Sequence, residues 1–229
     1  MSTIFGQIDT GELAARLGSP SARDRRGNVI WYDTFENINN SYHFSKGGAD
    51  STYAVSTDYS YMGGHSMRLT AGDTTDDYFY LWKLLPQTID TRIGVEAHLF
   101  IDMDDAEIEF GFGGWSGTNS YDARVKYRTS TNAISYYNSA GGYTALDTRE
   151  IDVDIYRLWS HFKLVYDWST KKYIRFILSG EEYDLSGISA YSSASVADPM
   201  FGAVIGIMVK GDTTTNLYVD DLIITQNEN

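Results

Sequence analysis

The chain has 229 residues, with 18 Lys and Arg against 31 Asp and Glu for a formal net charge of −13, no cysteine, and 14% aromatic residues including 18 tyrosines. Such a surplus of carboxylates excludes a phosphate-backbone ligand and disfavours an anionic membrane, because both are held by Lys and Arg. The missing cysteines remove disulfides, thiolate metal sites and cysteine nucleophiles together.

Residues 1–28 differ in character from the remainder of the chain. Thr10 is placed to cap a short helix carrying Leu13 and Leu17 on one side, with Gly18 ending it and Pro20 preventing its resumption. A helix this short is not stable alone in water, so the arm either docks on a surface, its own or that of a neighbouring subunit in a homo-oligomer or larger assembly, or is disordered. Ser19 to Gly27, with Arg23, Arg25 and Arg26 beside Asp24, reads as a solvated linker. Residues 29–229 then form one domain. Met1 to Asp9 lacks the basic start, apolar run and small-residue site of a secretory signal, and no stretch reaches the about 18 apolar residues of a membrane span. Synthesis as a soluble protein is the expectation.

From Asn28 the apolar period becomes two, the signature of strands. Val29 to Phe35 is the first strand, followed by a polar loop through Asn37–Ser41. Tyr53 to Val55 reads as a short edge strand, and a glycine turn at Gly63-Gly64 leads into a strand with Met67 and Leu69 on its core side. Tyr78 to Leu84, Gly94 to Ile101 and Ala106 to Phe112 come after it, the last with Ala106, Ile108, Phe110 and Phe112 inward. Two hairpins come next, Tyr121–Thr129 with Ala133–Tyr137 and Leu158–Asp167 with Lys172–Leu178, then strands over Glu182–Leu185 and Phe201–Lys210. Asn216 to Thr225 closes the chain. It alternates Leu217, Val219, Asp221 and Ile223 against Tyr218, Asp220, Leu222 and Ile224, so both faces are apolar and a central strand is predicted. About a dozen strands in one domain imply two packed antiparallel sheets, an all-β jelly-roll sandwich.

Three groups of residues are candidates for a site. If the first and last strands are neighbours, Asp33, Glu36, Asp220 and Asp221 converge, and a hard cation such as calcium would make their meeting tolerable. Aromatic rings suited to the C–H faces of sugars occur as Tyr78, Tyr80 and Trp82 on one strand face, and as Trp115, Tyr121 and Tyr143 in or near glycine-rich loops. Alternation leaves open whether the Tyr78 face or the Phe79 and Leu81 face looks outward. Asp105, Glu107 and Glu109 share a third face, which is either an acidic solvated surface or a carboxylate set of glycosidase type. The four histidines, His43, His65, His98 and His161, occupy strand or turn positions without a nucleophile elbow, and no two stand at zinc-ligand spacing.

Asp33-Thr-Phe-Glu36, Gly64-His-Ser-Met-Arg-Leu69 and Tyr218-Val-Asp-Asp221 resemble the opening, second-strand and closing motifs of jelly-roll carbohydrate-binding modules. Leu158–Asp167, Tyr173-Ile-Arg-Phe176 and Gly180–Leu185 resemble the late hairpin of concanavalin A-like and laminin G-like lectin domains, so the likeness spans residues 29 to 225. It implies a structural calcium between the first and last strands on Glu36 and Asp220, with Asp33 or Asp221 as a third ligand. Asp105-Ala-Glu-Ile-Glu109 is similar to the Glu-x-Asp-x-Glu strand of concanavalin-like glucanases but has Asp first and Glu second. An arm followed by one lectin-like sandwich fits a non-catalytic accessory protein of a virion, of capsid-decorating or fibre type, that contacts glycans. The alternatives are a stand-alone carbohydrate-binding module and a glycoside hydrolase using Asp105, Glu107 and Glu109.

Overall fold

The computed structural model describes residues 24, 26–36, 41–86, 91–102, 105–151 and 159–229. The predicted helix over Thr10–Gly18 lies outside the described residues, as does the rest of the arm except Asp24 and residues 26–28. The strands are β1 (Asn28–Asp33), β2 (His43–Gly47), β3 (Thr52–Ser56), β4 (Ser66–Ala71), β5 (Tyr78–Pro86), β6 (Arg92–Ile101), β7 (Ala106–Trp115) and β8 (Asn119–Arg128). They continue as β9 (Ala133–Tyr137), β10 (Tyr143–Thr148), β11 (Ser160–Asp167), β12 (Lys172–Leu178), β13 (Glu181–Asp184), β14 (Tyr191–Ala194), β15 (Met200–Val209) and β16 (Thr215–Gln226). Among the described residues no helix is long and apolar enough to cross a membrane.

Two eight-stranded antiparallel sheets pack face to face. The first runs β13-β12-β11-β6-β16-β4-β3, with β1 added alongside β16, and the second runs β10-β9-β8-β7-β15-β5-β2, with β14 on β8. As its two apolar faces predict, β16 is central: β6 flanks one side, while β4 and β1 share the other. The two ends of the domain therefore meet, with Asn28 opposite Gln226 and Asp33 opposite Leu222. Between the sheets, Phe162, Leu164 and Phe176 of the first meet Phe79, Ile108, Phe110 and Phe112 of the second, and Phe110 lies 5.6 Å from Phe162. Burial of these side chains supplies the main drive to fold.

The alternation predicted for the closing strand breaks at Asp221. Its φ of 50° places it in the left-handed region, and the register with β6 steps from Asp220–His98 to Ile223–Glu96. Two residues thus oppose one, a β-bulge that re-aims everything after it. The core side is Leu217, Val219, Leu222 and Ile224, not Asp221 and Ile223. Without the bulge, either a carboxylate or the apolar end of the strand would have had to face the wrong way.

The outer face of the first sheet is closed over β6, β11 and β12 around Lys163. Lys163, Glu96 and His161 on it are each no more than 1% exposed. Lys163 Nζ sits 2.8 Å from Glu228, 3.1 Å from Asp24 and 3.5 Å from Glu96, while Arg175 reaches Glu228 at 2.5 Å and Asp24 at 3.6 Å. Burial opposes the charge on Lys163, but Glu96, Glu228 and Asp24 outweigh it and raise its pKa. This buried ionic layer fastens Asp24, Arg26 and the 228 end to the sheet, so Asp24 is not part of a solvated linker as expected of Ser19–Gly27.

Candidate functional site

The outer face of the second sheet carries a row of partly exposed aromatic residues along one strand. In β5, Phe79 and Leu81 are buried in the core while Tyr78, Tyr80 and Trp82 look outward. This decides the orientation that alternation left open. Glycines on neighbouring strands make room for the rings. A Cβ on Gly206 of β15 would collide with the Tyr80 ring, one on Gly113 of β7 would stand 2.7 Å from Trp82, and one on Gly47 of β2 would stand 2.5 Å from Tyr78. Trp115 joins the group with its ring 6.5 Å from that of Trp82.

Trp115 is the last residue of β7, which corrects its expected place in a glycine-rich loop. The glycines are there for packing: Gly113 faces Trp82, and Gly114 faces Trp168 on the other side. Tyr121 lies in β8 and points inward, edge-on to Trp168 at 5.8 Å, so it does not share a surface with the other aromatics. Tyr143, in β10, does.

Next to the rings lies a polar network that the candidate residues only partly anticipated. Glu109 of β7 is 3.1 Å from Arg124 of β8, whose other nitrogen is 2.5 Å from Asp122. The Tyr80 and Tyr143 phenols lie close to Glu109, and burial together with that charge pushes both well above the usual phenol range, so each keeps its proton. Burial opposes the Arg124 charge, but Asp122 and Glu109 more than restore it. The guanidinium carbon of Arg124 lies 5.2 Å from the Trp82 ring centroid. Tyr137 packs 5.1 Å from Tyr143 and 5.3 Å from Tyr191, extending the surface toward β14. Asp122, Arg124, Tyr137 and Tyr191 were not singled out from the sequence. Their signal was the alternation of Asp122, Arg124, Lys126 and Arg128 against Ala123, Val125 and Tyr127 along one strand.

The acidic trio stands on this face as predicted, and each member is ion-paired. Asp105 meets Arg128 at 2.6 Å, Glu107 meets Lys126 at 3.2 Å, Lys210 at 3.3 Å and Arg128 at 3.4 Å, and Glu109 meets Arg124.

The carboxylates proposed to share calcium are near the β1–β16 junction, but each is addressed by protein donors. Glu36 accepts the N–H groups of Gly64 and His65 and contacts His65 Nδ1 at 2.8 Å. Asp33 accepts from Phe35 N–H at 2.8 Å and from the Tyr42 hydroxyl at 2.5 Å. Asp220 accepts backbone N–H groups from Tyr61, Met62 and Asp221, and so pins the 61–62 loop over the sheet. Asp221 accepts from the Tyr32 hydroxyl with one oxygen, and its other oxygen is buried without a hydrogen-bond partner. Burial, and then the neighbouring Asp221 charge, pushes Asp220 up to about 7, and burial, reinforced by Glu96, pushes Asp221 up to about 6. Among the described residues no three His, Asp or Glu side chains gather closely enough to hold an ion. N–H groups aimed at carboxylate oxygens also do what a cation would otherwise do, so these residues do not fit a shared calcium.

No family model matches the chain, and no curated protein matches it. Solved structures do. The endo-β-1,4-glucuronan lyase of Trichoderma reesei superposes with a TM-score of 0.61 at 10% identity, over 86% of this chain and 95% of that one. A Bacillus subtilis protein of unknown function described as having a galectin-like fold gives 0.57 at 14% identity, over 88% and 97%. The lectin UEA-II, solved with galactose, gives 0.52 at 11% identity, over 87% and 100%. The fold is the galectin-like jelly roll. At these identities the likeness fixes the architecture, which lectins and glycan-processing enzymes share, and leaves function to the residues on the sheet.

Proposed function

We propose that the protein binds glycans across the outer face of the second sheet and does not transform them. The observation that carries this reading is the platform of Tyr78, Tyr80, Trp82 and Trp115, seated against glycines and bordered by the hydrogen-bonding groups of Arg124, Asp122 and Glu109. Flat apolar rings take up sugar C–H faces, and carboxylates and guanidinium nitrogens orient hydroxyls. On the other outer face the charged groups are buried and mutually paired, and the rings of Tyr59, Tyr61 and Trp159 are taken up by contacts with His98, Phe100 and Tyr218. The reading as non-catalytic rests on Glu107 and Glu109. A glycosidase needs one carboxyl with a proton to give and one free to attack, whereas these two are paired with Arg124, Lys126, Arg128 and Lys210.

Trp82→Ala and Trp115→Ala should each weaken oligosaccharide binding by about 10-fold to 100-fold with an unchanged melting temperature. Unchanged affinity in both would overturn the assignment. Turnover of any polysaccharide that is lost in Glu109→Gln would overturn the non-catalytic part alone. The finer role we propose is that of an accessory virion component, capsid-decorating or fibre-type, whose arm ahead of Asp24 docks on neighbouring subunits and whose glycan face looks outward. Its support is the pairing of a short amphipathic arm with a lectin-like sandwich, and copurification with particles tests it.

A further inference from the structure

The charges on the same outer face bear on the chemical class of the ligand. Among the described residues it carries four long cations: Arg124, Lys126 and Arg128 on β8, and Lys210 just after β15. Each is engaged by protein carboxylates. Arg124 is divided between Asp122 at 2.5 Å and Glu109 at 3.1 Å, and Lys126 lies 3.2 Å from Glu107. Arg128 reaches Asp105 at 2.6 Å and Glu107 at 3.4 Å, and Lys210 reaches Asp76 at 2.5 Å and Glu107 at 3.3 Å.

Recognition of a sugar carboxylate needs a guanidinium fork or an ammonium with donors to spare. Here both terminal nitrogens of Arg124, 5.2 Å from the Trp82 ring, already face carboxylates with the side chain only 19% exposed, and Lys126, 4.1 Å over the Tyr143 ring, is held by Glu107. An acidic ligand would have to displace Asp122 or Glu109, leaving that carboxylate partly buried and uncompensated, on a chain whose net charge is already −13. A hydroxyl meets no such penalty. It donates to a carboxylate oxygen without breaking the ion pair, because each carboxylate has lone pairs to share.

We infer that this face selects a neutral glycan, with hydroxyls donating to Asp122 and Glu109 and C–H faces resting on Trp82 and Trp115, and that it rejects glycans built from uronic acids. The inference rests on the glycan-binding reading and narrows it. It also separates the chain in ligand charge from the glucuronan lyase whose fold it shares.

Calorimetry on the full chain tests it with two probe sets of matched length and ionic strength: neutral gluco-, manno- and galacto-oligosaccharides, and oligomers of glucuronate, galacturonate and alginate. The expected result is that a neutral probe binds at least about 10-fold more tightly than every uronate. Asp122→Asn, which frees one side of Arg124, should narrow the gap by improving uronate binding, with a thermal melt confirming the fold. Uronate binding as tight as neutral binding in the unaltered protein would overturn the inference and leave the glycan-binding reading standing. Failure of both sets to bind at millimolar concentration would overturn the two together.

Discussion

Asp221 is held in its bulge with one oxygen on Tyr32 and the other buried without a partner, and its pKa is pushed up to about 6. The unfolded chain has the ordinary aspartate value near 4, so over the interval between the two the folded state binds more protons than the unfolded state. Stability from this group is therefore fully present below about pH 4 and is lost as pH rises through about 6. A separation of about 2 pKa units corresponds to about 3 kcal/mol. Asp221→Asn removes the titration while keeping an oxygen for Tyr32. Measured by urea denaturation, the variant should gain stability relative to the parent between pH 4 and pH 8 by about 2–3 kcal/mol. Asp220, whose raised pKa owes part of its shift to the Asp221 charge, moves in the same direction when that charge is removed. A difference between the two proteins that stays flat across this range would refute the reasoning, and so would an increase toward acid.

Removing divalent ions with a chelator should leave the melting temperature within about 1 °C, because protein donors already satisfy Glu36, Asp33 and Asp220; a drop of several degrees that calcium restores would contradict this. Lys163→Met should destabilise the fold by about 3 kcal/mol, since it takes the lysine from buried Glu96 and leaves Glu228 and Asp24 to Arg175, and chemical denaturation would show it.

The features legible in the sequence were those written in a strict period of two beside apolar residues. The alternation in β7, the two apolar faces of β16 and the two long hairpins all obey that rule. Strands without an apolar face did not announce themselves. Tyr191-Ser-Ser-Ala194 and His43-Phe-Ser-Lys-Gly47 lie at or near sheet margins, where pairing alone holds them. The bulge at Asp221 was invisible because one residue in a left-handed conformation leaves no compositional mark when it is not glycine.

The site was half legible for a similar reason. Tyr78, Tyr80 and Trp82 could be seen to share a face, but Gly113 and Gly114 looked like a turn. Their purpose is to give space to rings from strands distant in sequence, and a linear reading holds no such information. The partners of Glu109 likewise come from β5, β8 and β10, brought together only by the order of strands in the sheet.

The claim that the outer face of the second sheet is the glycan platform is tested most directly by an amide chemical-shift titration with a neutral oligosaccharide that binds. The account predicts that the shifts gather at Tyr80, Trp82, Gly113, Trp115, Arg124 and Gly206, while Lys163 and Arg175 on the opposite side of the sandwich stay still. Shifts concentrated around Lys163, Arg175 and Glu228, with Trp82 and Gly113 unmoved, would contradict it.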